Sequence, residues 1–358
     1  MKRFLALCTA LVWLAVCFPA AAEPQKYSRS MLGIFDTEII LQGYCESQAD
    51  FDRAADGLAE LLTEYDKIFD AYHSYSGVNN LWYVNRSAGT APVEIPDALF
   101  ELLAWCKAQW ESGRRETNVA LGAVLSIWHD YRTAGLEDPS AAQLPPMEAL
   151  EAAAEHTDFD QVILDAEAST VFFADPLITL DVGAVAKGFA ADKAQAYLST
   201  EMPSFLLSLG GNVVVGQPPQ DGRAHWGVSV QDPNAALLSS TPGTDILDIL
   251  YVDSLSVVTS GDYWRFYVVD GQRYHHIIDP KTLMPAAYLR QVTVVCESSL
   301  LADFLSTALF TLPYEEGRSL VDSLPGVEAI WALPDGTVKL SGGMARYAYS
   351  QGATAYGQ

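Results

Sequence analysis

Asp303 and Thr307 carry the two side chains in this sequence best suited to a hard metal ion. They lie four positions apart in the segment 299–312, whose apolar content predicts a helix ending before a proline. Residues at i and i+4 share a helix face, so a carboxylate and a hydroxyl would project together. Mg²⁺ takes few protein oxygens and completes its shell with water and substrate phosphate. The pair predicts a magnesium site, although on its own it also fits a solvated Asp beside a core-facing Thr.

A second group could bind phosphate. The apolar run 178–182 predicts a buried strand, Gly183 a turn, and 184–198 a helix. A helix start leaves free backbone N–H groups, which bind anions, and Lys187 would lie in the first turn. Asp181, at the strand end, could hold a ribose, a base edge or a metal. Taken alone, the segment is more typical of a plain strand–helix crossover with one surface lysine.

A third feature is a possible general base. His276 follows a hairpin indicated by the Asp270-Gly271 turn, and histidine is the usual base for activating a hydroxyl. Asp279 is close enough in sequence to orient its ring. In a regular strand His275 would point to the opposite face. An isolated histidine would more often be a structural one.

The elements that must position these groups alternate along the chain. A helix is predicted over residues 49–69, which carry an apolar stripe of helical period. Two further helices are predicted over Asp97–Trp110 and over residues 147–156. Strands are predicted in the following segments: 31–44, 161–165, 170–174, 205–209, 213–216, 226–230, 256–263, 264–269, 274–279, 291–296, 327–333 and 337–340. No internal repeat or linker divides them. The pattern predicts one α+β domain with mixed or antiparallel sheets and packed helices.

The charge balance limits the partners. The sequence has 21 Lys and Arg against 45 Asp and Glu, a net charge of −24. Such a surface repels nucleic acid and anionic membranes, and no basic run offsets it. Binding of an anionic ligand would therefore depend on local features of the site, namely helix N-termini, a few cationic side chains or a divalent metal ion.

The first 22 residues have the form of an export signal. Lys2 and Arg3 precede an apolar stretch from Phe4 to Phe18, and Ala20-Ala21-Ala22 resembles a cleavage site. The stretch is short for a membrane span. We therefore expect a cleaved signal over 1–22 and a single domain over 23–358, exported or periplasmic. Lipid anchoring at Cys17 is the alternative, since the preceding residues loosely resemble a lipobox.

Signal removal would leave three cysteines, Cys45, Cys106 and Cys296. Their wide spacing matches no metal-ligand pattern and no disulfide framework. We expect them to be buried structural residues.

Four segments in the second half of the chain carry a family resemblance: 181–188, Leu209-Gly210-Gly211-Asn212, 259–263 with 276–280, and 302–309. Their order and spacing resemble the ApbE-like family of flavin transferases, the FAD:protein FMN transferases. The resemblance runs from Met31 to about Leu340. It is looser in the first half, through the segments 35–37, 79–81, Asn85 and 117–125.

The resemblance implies an activity. Members of this family bind FAD and Mg²⁺, cleave the FAD pyrophosphate, and attach FMN to a Ser or Thr of an acceptor protein, with release of AMP. Typical acceptors are FMN-binding domains of membrane electron-transfer complexes. Two other functions remain possible interpretations of the sequence. The chain could be an enzyme that hydrolyses FAD to FMN and AMP, or an exported flavin-binding protein without turnover.

The resemblance also implies residue roles. His276 would be the general base, and the Ala184 carbonyl would join Asp303 and Thr307 on the metal. The residues around FAD would be Met31, Thr117, Asn118, Val119, Asp181, Lys187 and Ile277.

The sequence departs from the family pattern at several positions. Asn212 stands where an Asp is common, Ala120 where a Thr is, and Ala123 where a Pro is. A Leu follows Thr282, where a Gly is common. These departures put the shape of the flavin pocket in doubt more than the reaction.

Overall fold

The computed structural model describes residues 23–235 and 245–357. The predicted export signal over 1–22 and the segment 236–244 lie outside this part, so the signal stays a prediction. Within the described residues, no helix has both the length and the apolar character needed to cross a bilayer.

The chain alternates short strands and helices, as the sequence indicates. The strands are β1 (Gln25–Ile34), β2 (Thr37–Cys45), β3 (Val93–Glu94), β4 (Val162–Asp165), β5 (Thr170–Phe173), β6 (Phe205–Leu209), β7 (Asn212–Val215), β8 (Trp226–Gln231), β9 (Ile246–Val252), β10 (Ser256–Gly261), β11 (Phe266–Val269), β12 (Gln272–His275), β13 (Gln291–Cys296), β14 (Glu328–Ala332) and β15 (Val338–Leu340). The helices are α1 (Gln48–Phe69), α2 (Leu81–Arg86), α3 (Asp97–Glu111), α4 (Gly122–Glu137), α5 (Met147–Ala154), α6 (Ala186–Glu201), α7 (Ser299–Phe310) and α8 (Tyr314–Asp322).

The main sheet has eight strands in the order β1-β2-β6-β7-β10-β13-β14-β15. Every ladder in the described residues is antiparallel, so the predicted α+β fold is confirmed in its antiparallel form. Smaller sheets are formed by β8-β9, by β11-β12 and by β3-β5-β4.

Both faces of the main sheet are covered, and the strand sequences show why. In β13 every residue is buried: Val294 joins the core under α7, and Val295 packs with the β8-β9 hairpin on the other face. Neighbouring strand side chains point to opposite faces, which makes β13 a nearly continuous apolar run. This central strand and β10 support α7, the helix that carries Asp303.

Three strand predictions are wrong in detail. The predicted strand 274–279 is β12, which spans Gln272–His275. The segment 31–44 is not one strand: it belongs to the β1-β2 hairpin, whose turn residues Phe35 and Asp36 both have positive φ. The segment 178–182 joins no ladder and makes only an isolated parallel bridge, Leu121 to Thr179. It is held by other means, described below. The three cysteines are free and buried, as predicted.

Candidate active site

The helices α6 and α7 meet at one hydrogen bond. Oδ2 of Asp303, on α7, accepts the backbone N–H of Gly188 in the first turn of α6 at 2.8 Å. Asp303 is only 5% exposed. Burial raises the pKa of this carboxyl, while the Lys187 charge and the Gly188 amide act in the opposite direction. A buried carboxylate of this kind gains from a nearby cation.

Gly188 is required by this contact. A Cβ at this position would lie 2.6 Å from Cβ of Asp303, 2.6 Å from the carbonyl oxygen of Ser299 and 2.8 Å from Cα of Leu300. No side chain fits at such distances. The glycine lets the two helices touch and brings the α6 start to the carboxylate.

The Ala184 carbonyl lies just before α6, which begins at Ala186. Gly188 is among the first amides of the helix, which have no acceptor within it, and it donates to Asp303. The Ala184 carbonyl accepts no hydrogen bond from the residues the structure describes. Thr307 is half-buried one turn beyond Asp303 on α7. Of the three predicted metal ligands, Asp303 forms the contact between α6 and α7, Ala184 lies just before α6 and Thr307 one turn further along α7.

In the described residues no three His, Cys, Asp or Glu side chains converge as a metal site. A cation here would depend on the single Asp303 carboxylate together with carbonyl, hydroxyl and substrate oxygens. That donor set is the one Mg²⁺ accepts and Zn²⁺ does not favour.

The start of α6 has the predicted form. The helix begins at Ala186, so the half-buried Lys187 lies in its first turn. Asp181 does not end a strand as predicted; its Oδ1 accepts the Gly183 N–H at 2.7 Å and shapes the turn into the helix. The Lys187 amide donates no hydrogen bond within the described chain, which leaves it available to a phosphate.

Asn85 fixes the backbone next to Asp181. Its Nδ2 donates to the Leu180 carbonyl at 2.9 Å, and its Oδ1 accepts the Leu180 N–H at 2.8 Å. The Asp181 N–H in turn donates to the Val119 carbonyl. These bonds replace the strand ladder that the sequence predicted for this segment.

His276 lies just past the end of β12 rather than within a strand. Its ring is half-buried, and its Nδ1 is buried without a hydrogen-bond partner. Burial, together with the positive charges of Arg265 and Arg132, lowers the pKa of His276 to about 3. The imidazole is therefore neutral at physiological pH and able to accept a proton.

The prediction that Asp279 orients His276 is wrong. Asp279 is buried, and its Oδ1 accepts the Lys281 N–H instead. His275 is structural: its Nε2 contacts the Ala286 carbonyl at 2.9 Å, and its Nδ1 accepts the Ile277 N–H. The two adjacent histidines therefore have different surroundings, and the catalytic role of His276 stays a prediction.

The other predicted FAD residues lie in or beside the core. Met31 and Ile277 are buried apolar residues. The Thr117 hydroxyl donates to the Phe304 carbonyl on α7, and Asn118 Nδ2 to the Thr157 carbonyl. Thr117 and Val119 thus link their turn to α7 and to Asp181. Direct contact of these residues with FAD remains a prediction.

The glycine pair and the 259–263 segment also reach α7. A Cβ on Gly211 would lie 2.7 Å from the Thr259 carbonyl oxygen, so the β6-β7 turn packs closely on β10. Oγ of Ser260, on β10, contacts Oγ of Ser306 at 2.8 Å. The side-chain amide of Asn212 lies near Asp303 and lowers the pKa of that carboxyl. Its Nδ2 nevertheless has no hydrogen-bond partner in the described residues. All four segments of the resemblance therefore meet around α7.

A group of residues that the sequence analysis missed adjoins this site. The rings of Tyr72 and His129 stack with centroids 4.6 Å apart. Nδ1 of His129 contacts an Nη2 nitrogen of Arg132 at 3.2 Å. Arg265 occupies the open end of the β11-β12 hairpin, where the pair Phe266 and His275 begins. Only the distribution of cations in an acidic chain could have signalled this cluster.

The fold and the site define an α+β domain in which a helix start with a free amide lies next to a buried carboxylate and a neutral histidine. A sequence model of the ApbE family matches residues 35–331. The chain belongs to the ApbE family, which confirms the resemblance seen in its four segments.

Two relatives with assigned names are similar over most of their length. The FAD:protein FMN transferase of Treponema pallidum (strain Nichols) is 34% identical over 339 residues, covering 90% of this chain and 89% of that protein. The protein of the same name from Klebsiella pneumoniae (strain 342) is 30% identical over 322 residues, with 88% and 91% covered. Both names denote transferases, the predicted class of enzyme.

Solved structures agree with the fold. The ApbE protein of Thermotoga maritima is 27% identical, with a TM-score of 0.76 over 89% of this chain and 97% of that one. The flavin transferase ApbE of Vibrio cholerae superimposes with a TM-score of 0.74 over 90% and 99%. At 20% identity this second likeness concerns the fold alone.

Proposed function

We propose that this chain is a Mg²⁺-dependent FAD:protein FMN transferase. It would cleave the pyrophosphate of FAD, attach FMN through a phosphoester bond to a Ser or Thr of an acceptor protein, and release AMP. The observation that supports this best is the contact between Asp303 and the Gly188 amide at the start of α6, where no described residue donates to the Ala184 carbonyl. The names of the relatives supply the substrate.

The residues present fit a magnesium ion. A buried carboxylate, Asp303, and a carbonyl without a donor in the described chain, Ala184, lie at one helix contact, with the hydroxyl of Thr307 one turn away. Bound there, Mg²⁺ would neutralise negative charge on the pyrophosphate oxygens. Water and substrate phosphate would complete its shell.

Lys187 and the start of α6 would hold the phosphates. The free amide of Lys187 and its ammonium group belong to the helix N-terminus, where the helix dipole favours negative charge. Asp181 and Asn85 fix the turn that presents them.

His276 would act on the acceptor. Its neutral imidazole can take the proton of the Ser or Thr hydroxyl as that oxygen attacks the FMN phosphorus and the bond to the AMP oxygen breaks. The anionic substrate would raise the pKa of His276 from its low value in the free protein, since an opposite charge favours the protonated form. A general base of this kind contributes about 10²–10⁴-fold to a rate.

We further propose that the reaction takes place outside the cytoplasmic membrane. The supporting feature is the signal-like sequence over 1–22, and lipid anchoring at Cys17 is the variant of this proposal. An FMN-binding domain of a membrane electron-transfer complex is the acceptor we expect, because such domains are typical acceptors in the family.

The test combines the mature protein, FAD and an FMN-binding acceptor domain, with Mg²⁺ or with chelator. Flavin fluorescence on the denatured acceptor band, seen only with Mg²⁺, is the expected result. Free FMN and AMP without labelled acceptor would indicate a hydrolase. Intact bound FAD at every Mg²⁺ concentration would indicate a flavin-binding protein without turnover.

A further inference from the structure

Helix α4 connects the two halves of the site. At its start, a Cβ on Gly122 would lie 2.3 Å from the Thr179 carbonyl oxygen, so the helix packs directly on the segment that carries Asp181. Further along, a Cβ on Gly135 would lie 2.7 Å from the Tyr267 ring of β11. The helix is therefore fixed against both the Asp181 segment and the hairpin that precedes His276.

Arg132 lies on this helix, one turn before Gly135. Its guanidinium donates to Nδ1 of His129 at 3.2 Å, which requires that nitrogen to be unprotonated. Burial lowers the pKa of His129, and the Arg132 charge lowers it further, so the ring stays neutral and keeps accepting this bond. The His129 ring also packs against Tyr72. The stack holds Arg132 in one orientation.

Arg265 reaches the same place from the hairpin. Phe266 and His275 are paired across β11 and β12, so Arg265 and His276 are the next residues on either side at the open end. Packing of Gly135 on Tyr267 brings α4 to this hairpin. The two arginines therefore approach His276 from two different elements, and both charges lower its pKa.

Arg132 and Arg265 differ from the other arginines in the part of the chain that the structure describes. Arg86, Arg115 and Arg273 lie over an aromatic ring, and Arg114 donates to the side-chain oxygen of Gln109. Six more pair with a carboxylate: Arg29, Arg53, Arg223, Arg290, Arg318 and Arg346. Within residues 23–235 and 245–357, neither Arg132 nor Arg265 has such a partner at 4.0 Å or less, although Asp130 and Asp181 belong to the same region. Burial lowers the pKa of Arg132, which reflects a charge held without full hydration. A cation held in this way gains from an anionic ligand.

We propose that Arg132, positioned by His129, and Arg265 bind phosphoryl oxygens of FAD beside His276, in addition to Lys187. This proposal rests on the proposed function for its ligand. Arginine suits this role because its planar fork binds phosphate oxygens in pairs.

The test compares binding of FAD with binding of riboflavin, which has the flavin ring but no phosphate. Equilibrium flavin fluorescence is measured with the wild-type chain, Arg132→Gln, Arg265→Gln and the control Arg53→Gln. Arg53 is an exposed residue paired with Asp50 on α1. We expect each site variant to raise the Kd of FAD about tenfold at low salt, with the Kd of riboflavin unchanged. The Arg53 variant should match the wild type for both ligands.

The salt dependence gives a second readout. Removing one arginine from the phosphates should make FAD binding less sensitive to ionic strength. Arg265 is exposed, so its variant tests the proposal even if Arg132→Gln disturbs the helix. An equal loss of FAD and riboflavin affinity in the Arg265 variant, or no loss of either, would overturn the proposal. These binding data stand apart from turnover: a protein that binds FAD through both arginines but transfers nothing would refute only the proposed function.

Discussion

His276 makes no hydrogen bond through Nδ1 within the described residues, so its side chain contributes little that the fold requires. We expect His276→Ala to keep its free energy of unfolding and its Kd for FAD, while the rate of FMN transfer falls about 10²–10⁴-fold. Rate and Kd are measured on the same preparation. His275→Ala is the matched contrast, because it removes bonds to Ala286 and Ile277 and should lower stability. A His276 variant that no longer bound FAD would make this residue part of the pocket instead.

Asp303 can be tested while its hydrogen bond is kept. In Asp303→Asn the side-chain oxygen can still accept the Gly188 N–H, so the contact between α6 and α7 is preserved, but the negative charge is gone. We expect turnover to fall by at least about 10³-fold, and added Mg²⁺ no longer to strengthen FAD binding. Titration of FAD with and without Mg²⁺ measures the second effect. Unchanged activity would remove Asp303 from the metal site.

Part of the candidate site can be predicted from the sequence around single residues. The spacing of Asp303 and Thr307 places them on one helix face, and the helix that follows a Gly turn places Lys187 in a first turn. The hydrogen-bond partner of Asp279 could not be predicted, because a buried carboxylate accepts from whichever amide the loop brings near. Here that amide belongs to Lys281. Arg132 was missed for a similar reason: its position depends on how α4 packs against β11, which no local pattern encodes.

At the scale of elements, the contact between α6 and α7 is the most sensitive. In Gly188→Ala the added Cβ would meet Asp303, Ser299 and Leu300 at 2.6 to 2.8 Å, two of these atoms being backbone. The helices must separate, at a cost of about 1–3 kcal/mol, and the carboxylate moves from the α6 start. We expect a lower midpoint in urea unfolding together with loss of FAD binding.

Gly342→Ala is the control for this change. A Cβ at Gly342 meets nothing nearer than an Nη2 of Arg318 at 4.0 Å in the described structure, so stability and binding should match the wild type. If Gly188→Ala behaved like this control, the close approach of the two helices would have no role in forming the site.

The strand predictions show the limits of periodicity. Residues 178–182 have the composition of a buried strand, yet their backbone bonds go to the Asn85 side chain and to Val119. Their burial was predictable, but their partners were not. Conversely, β13 is a continuous apolar run because both faces of the main sheet are covered. The sequence correctly predicts this strand and the turn of the Asp-Gly hairpin.

At the scale of the whole molecule, the buried histidines predict a dependence of stability on pH. The folded pKa of His276 is about 3, against 6.5 for an ordinary histidine. Between these values the unfolded chain binds a proton that the folded chain does not, so stability falls as pH falls below about 6.5. Burial acts on His275 and His129 in the same direction. We expect the free energy of unfolding to decrease from pH 7 to pH 5, measured by urea unfolding in chelator.

The variant His276→Asn isolates the contribution of His276 to this pH dependence of stability. The asparagine does not titrate, so the decrease between pH 7 and pH 5 should be shallower, by at most about 1.4 kcal/mol per pH unit. Asp303, whose raised pKa acts in the opposite direction, is present in both proteins and cancels in the comparison. Identical slopes in the two proteins would mean that His276 is freely protonated in the folded state.

The pairing of β2 with β6 joins residues far apart in the chain, with Ile39 opposite Leu209. Asp303 comes nearly a hundred residues later still and must meet Gly188 and β10. Such long-range contacts form slowly, because large loops have to close first. A growing or truncated chain that ends before α7 would have the Lys187 turn but no carboxylate to receive the Gly188 amide. We therefore expect the ability to hold flavin nucleotide to appear late in folding, only after α7 has been made.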